Sequence, residues 1–100
     1  MKTMGYPVRD ERVVWRDIAG EVVIAERDNN TVHVLNPTAS LIWMLADGTR
    51  HTEDIGTMLR DKYNVAPEQA SADVSEFCRQ LLQAGIISMK NVSSEGQEAI

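Results

Sequence analysis

The sequence predicts an α+β domain: a three-stranded antiparallel sheet followed by three helices. Three observations carry that expectation. Apolar, mostly β-branched residues cluster in short runs between residues 12 and 36, separated by turn-forming residues; the apolar spacing then switches to a helical period at Asn36-Pro37; and three helical stripes follow, the last ended by Gly85. One hundred residues suit a single core. The chain is 43% hydrophobic and 25% charged, close to the average for a globular domain. The expected organisation is a flexible arm over residues 1–8, one domain over residues 9–90, and a disordered tail over residues 91–100, where large apolar residues are scarce.

The first strand is read from Val13, Val14 and Trp15, and the second from Val22, Val23 and Ile24 after the Ala19-Gly20 turn. The second is apolar over four residues, which predicts cover on both faces. Asp28-Asn29-Asn30 supplies residues that tolerate the left-handed conformation of a tight hairpin, so Thr31 to Asn36 returns as the third strand. Its place in the meander makes it an edge. Asn36 is a preferred N-cap and Pro37 is preorganised for the first helical position, which opens helix one through Leu41, Ile42, Trp43 and Leu45 as far as Asp47-Gly48. Thr52 is expected to cap helix two, with Glu53 and Asp54 at its positive end and Ile55, Met58, Leu59 and Tyr63 on one stripe. Residues 64–66 break it. Helix three opens near Pro67 or Ser71, carries Ala70, Val74, Phe77, Cys78, Leu81 and Leu82 at helical spacing, and stops at Gly85, after which Ile86-Ile87 fold back.

Several chemistries are excluded on composition. Cys78 stands alone, so an internal disulfide, an iron–sulfur cluster and a thiolate zinc site lack their ligands. His33 and His51 lie in different elements, without a partner at a metal-ligand spacing. The six glycines are scattered singly, so no phosphate-binding loop is present. Asp10-Glu11 and Glu53-Asp54 are adjacent pairs rather than convergent ones, and Trp15 and Trp43 fall on core-facing positions. No catalytic residue, cofactor or metal site is expected. The start has no signal-peptide pattern and no apolar run reaches membrane-spanning length, so a cytoplasmic protein is expected. Net charge is −5, with six basic and seven acidic residues in the first half against four and eight in the second. That balance disfavours nucleic acid.

A three-stranded sheet followed by three short helices has the layout of a winged helix-turn-helix, which serves either DNA or peptides. On helix three, the element a DNA reader inserts into a groove, Glu68, Asp73 and Glu76 oppose Arg79 alone. The other use of the shape is strand addition, in which an extended peptide pairs with the edge strand. An acidic rim would then favour a basic segment in the partner.

The string Leu35-Asn36, Ala39, Ile42-Trp43, Leu45, Asp47-Gly48, Ile55, Leu59, Tyr63, Asp73-Val74, Phe77, Leu81 and Gly85-Ile86-Ile87 resembles the family of the coenzyme pyrroloquinoline quinone synthesis protein D over about residues 8–89. It departs at two places: Asp28-Asn29-Asn30 stands where quinone-pathway members tend to have Pro-Glu-Gly, and Ala46 where they tend to have Cys. The resemblance implies a non-catalytic recognition element. Such elements grip the leader of a ribosomally made precursor peptide and present it to a modifying enzyme, often of the radical S-adenosylmethionine type. It further implies that the leader lies antiparallel to the third strand, which nominates Thr31, Val32, His33, Val34 and Leu35 for the backbone ladder. The groove wall would come from Ala70, Asp73, Val74, Phe77 and Cys78. Among these, Asp73 and Phe77 sit at the flank of the stripe and are the stronger contact candidates. A small winged-helix transcription regulator and a dimerisation scaffold are the competing expectations, and a homodimer stays open because short edge strands can swap between subunits.

Overall fold

The computed structural model describes residues 5–26 and 30–90. Eight elements follow in order: β1 (Tyr6–Arg9), β2 (Val14–Ile18), β3 (Glu21–Glu26), β4 (Thr31–Val34), α1 (Pro37–Leu45), α2 (Thr52–Tyr63), α3 (Pro67–Ala84) and β5 (Ile87–Lys90). The expected sheet is present as β2-β3-β4, all antiparallel, with Trp15 opposite Ile24 and Ile24 opposite His33. A second sheet was not expected. β1 pairs antiparallel with β5, from Tyr6 opposite Lys90 to Arg9 opposite Ile87. Tyr6–Arg9 therefore form a strand where the sequence suggested a free arm; the partner strand lies some 80 residues away, beyond the reach of any local pattern.

The helix boundaries follow their caps. Asn36 accepts the Ala39 N–H at 2.8 Å and Pro37 opens α1. That helix closes at Leu45, capped by Ala46 rather than running to Gly48. Gly48, at φ +88°, serves the turn beyond: its N–H donates to Pro7 O at 2.9 Å, and a Cβ there would lie 3.2 Å from Val8 Cγ2. For α2 the cap is His51, not Thr52. The His51 ring Nδ1 accepts from Glu53 N–H at 3.1 Å, while Asp54 Oδ2 accepts the His51 N–H at 3.4 Å, a reciprocal pair at the helix start. Asn64 ends α2 in the left-handed conformation, and Gly85, at φ +78°, ends α3. The turn expected at Asp28-Asn29-Asn30 lies mostly outside the described residues, as does the expected tail; Asn30 itself has φ +56°.

One core joins the layers. Val22 and Ile24 from β3 meet Ile42 and Trp43 from α1, Ile55 and Leu59 from α2, Val74, Cys78 and Leu81 from α3, and Ile86 and Ile87 at the end. Trp15 packs edge-to-face on Trp43 at 6.0 Å. Arg9 lies over the Trp15 ring at 5.0 Å and donates from Nη1 to Trp43 O and Met44 O, so β1 supplies the cation that the C-terminal carbonyls of α1 require. Only one face of β3 is buried. Val23 and Ala25 point to the opposite face and are only half-buried, so the expected cover on both faces is absent.

Candidate peptide-binding site

β4 is an edge of the three-stranded sheet, and its register fixes what it offers there. Leu35 N–H donates to Val22 O at 2.9 Å, so with the β3–β4 pairing of Ile24 with His33 and Glu26 with Thr31, the residues bonded to β3 are 31, 33 and 35. In an antiparallel pair these alternate with residues whose N–H and C=O face away. Val32 and Val34 thus direct their backbone groups to the free edge. Their side chains lie on the outer face, whereas Thr31, His33 and Leu35 lie on the core side, where the His33 ring pairs with the Glu26 carboxylate.

The chain then leaves β4 directly into the N-terminus of α1. Beside that junction is a cavity of about 270 Å³. Asn36, Thr38, Ala39 and Ile42 line one side, from the start of α1; Asp73, Glu76, Phe77 and Gln80 line the other, from the middle of α3. Its floor is apolar and its rim polar. Phe77 is half-buried and packs against the core while keeping a surface to the cavity. Glu76 is already engaged, by Arg79 Nη1 at 2.7 Å and Gln80 Nε2 at 3.2 Å. Among the described residues Asp73 accepts only from the neutral Gln69 amide, at 2.7 Å, and none of their cations pairs with it at the rim.

The structure brings Asp73 and Phe77 to this cavity and keeps Ala70, Val74 and Cys78 away from it. Those three are fully buried in the core cluster, so they support the groove from behind rather than forming its wall. A helical stripe names the residues that share a side; it does not say how far the neighbouring elements reach around it. The residues missed by sequence are those of α1. The Asn36-Pro37 signal could have found them, because a helix that starts where an edge strand ends must place its first turn along the strand's continuation.

Clefts of about 290 and 340 Å³ lie beside the β1–β2 connection; of the acids that line them, Asp10 is held by Arg12, which lowers its carboxyl to about 2, Glu26 pairs with His33, Asp47 is met by the Thr49 hydroxyl and the Arg50 guanidinium, and Glu11 is exposed to solvent. Among the described residues no group of three His, Cys, Asp or Glu is placed to hold a metal ion, and no helix is long and apolar enough to cross a membrane.

Residues 21–87 match the family described as coenzyme PQQ synthesis protein D. A solved structure of TbiB1 in complex with the TbiA(beta) leader peptide is 25% identical, covers 81% of this chain and 94% of that one, and superposes with a TM-score of 0.73. A lasso peptide synthetase B1 complexed with its leader peptide shares the fold at 18% identity and a TM-score of 0.73, covering 84% of this chain and 99% of that one. No curated protein matches the sequence.

Proposed function

The chain belongs to the coenzyme PQQ synthesis protein D family, and from that premise we propose that it binds the leader of a ribosomally synthesised precursor peptide and presents it to a modifying enzyme. The observation that carries this reading is the free edge of β4 beside the α1–α3 cavity. A leader laid antiparallel along β4 bonds to the N–H and C=O groups of Val32 and Val34, and its side chains then alternate between faces. Residues opposite His33 and Leu35 point to the core side, in line with the cavity over Phe77. Main-chain bonds supply affinity without sequence preference, and the cavity supplies the preference. The solved TbiB1 structure is a complex with a leader peptide, which supports a leader as the ligand.

In this reading the chain performs no chemistry of its own and works in the cytoplasm, where precursor peptides are made. The modifying enzyme is of the radical S-adenosylmethionine type, as in quinone biosynthesis. The Phe77→Ala variant tests the site. Loss of an aromatic anchor should weaken leader binding by about 2 kcal/mol, some thirtyfold in Kd. Because Phe77 is only half-buried, folding should lose less than the roughly 3–5 kcal/mol of a fully buried phenylalanine. Calorimetric titration with a candidate leader peptide, run with a denaturant melt, reads both. A variant that binds the leader like the parent places the site elsewhere.

A further inference from the structure

Four of the five large apolar side chains that stay exposed among the described residues occupy one surface: Val14 at 47%, Ile18 at 57%, Val32 at 63% and Val34 at 66%. All four project from the face of the β2-β3-β4 sheet opposite the core, since Val22 and Ile24 define the buried side and strand side chains alternate. The register arranges them in rows. Val14, Ala25 and Val32 form one, Arg16, Val23 and Val34 the next, and Ile18 stands opposite Glu21 at the hairpin end. An antiparallel sheet with one solvated face normally makes that face polar. This one is aliphatic except for two charges of opposite sign.

We propose that this face is a contact between two copies of the chain, stacked sheet on sheet about a two-fold axis. Charge selects the second copy as occupant. The chain carries −5, so two copies repel over most orientations, whereas the Arg16–Glu21 face is neutral. Arg16 and Glu21 are diagonal neighbours, and among the described residues neither has an ion-pair partner. A two-fold axis parallel to the sheet, about 5 Å above its face and passing over the midpoint between them, sets Arg16 of each copy against Glu21 of the other, closing both pairs at once, as an isologous interface requires. The aliphatic rows then interdigitate as in a β-sandwich.

The area sets the strength. Three strands of four to six residues give a footprint of roughly 15 by 17 Å, about 250 Å². That is well under the ~800 Å² per partner of a stable complex, so the dimer is weak and forms only at high protein concentration. The α1–α3 cavity lies on the opposite, core side of the sheet, so each copy keeps its own; the backbone groups of Val32 and Val34 point sideways from β4 rather than into the contact.

Sedimentation velocity on the full chain at low salt, from about 5 µM to about 1 mM, tests this. The sedimentation coefficient should rise with concentration from monomer toward dimer. Arg16→Glu and Glu21→Arg should each shift the midpoint upward by about tenfold, the double exchange should restore it, and Val34→Lys should abolish association. Thermal melts at the lowest concentration show that these exposed substitutions leave the fold intact. A chain that stays monomeric throughout overturns the proposal and leaves the face to a different partner. A dimer that ignores the charge exchanges, or that the double variant fails to restore, overturns it in favour of another contact such as the β4 edge.

Discussion

At residue scale the sulfur and the turn carboxylates show what burial and hydrogen bonding decide. Cys78 is buried on the inner side of α3, and desolvation pushes its thiol up to about 11. The native protein should therefore resist a disulfide exchange reagent at pH 8 and react at once in denaturant; rapid labelling of the folded chain would show that α3 opens. This much was legible, because Cys78 shares a helical stripe with Val74 and Leu81 and has no cationic neighbour on it. Asp47 behaves oppositely. The Thr49 hydroxyl and N–H, with Arg50 adding charge, hold its carboxyl below the ordinary 3.8. A carboxyl lowered in the folded state stabilises the fold fully above its unfolded value and loses that contribution as pH falls through the native one. The Asp47 contribution should thus be constant above about pH 5 and be lost below about 4. Asp47→Asn, which keeps an acceptor for Thr49, should flatten part of that acid limb in denaturant melts taken across pH; an unchanged limb would assign it to other carboxylates, Asp10 among them.

At the scale of elements, helix existence was readable from caps and stripes, whereas joints between elements were not. Ser40 is the clearest joint. The 22–35 pair should exchange two ladder bonds, but only Leu35 N–H to Val22 O is made; Val22 N–H donates instead to Ser40 Oγ at 2.8 Å, and the hydroxyl donates on to Leu35 O at 3.2 Å. A side chain of α1 thus completes the end of the β3–β4 ladder and fixes α1 against the strand proposed to receive the leader. Nothing in the sequence around Ser40 announces this, since a serine in a helix usually faces solvent. Ser40→Ala would leave a buried donor and acceptor unpaired, which costs about 1–3 kcal/mol and should lower Tm by roughly 5–15 °C. Ser71→Ala, on the exposed side of α3, is the control and should change little. Equal melting of the two variants would mean that the β3–β4 end closes without the hydroxyl. The β1–β5 sheet was illegible for a different reason: Pro7 argues against a strand, and its partner is at the opposite end of the domain.

The whole molecule decides between peptide and duplex, because the layout of sheet and three helices alone serves both. The exposed side of α3 carries Glu68, Glu76 and Arg79, and that arginine is already paired with Glu76. Asp73 adds a negative charge at the cavity rim that no cation among the described residues pairs. Phosphate neutralisation needs several free cations on one face, and each contact contributes a nearly unit slope to the fall of log K with log salt. A chain at −5 with this α3 should show no duplex binding in a gel-shift titration at physiological salt. In the proposed mode, leader binding would rest mainly on main-chain bonds to Val32 and Val34 and on apolar burial over Phe77, terms that salt barely screens. Its affinity should therefore change only a few-fold across a salt series, with the residual slope carried by Asp73 if the leader places a basic residue at the rim. Asp73→Asn should remove that slope while leaving the low-salt melt of the protein unchanged. The two readings thus separate on one axis: a steep, sequence-preferring loss of duplex binding with salt would make α3 a groove reader and sink the peptide assignment, whereas a shallow slope for the leader and none for DNA is what the charge on this fold demands.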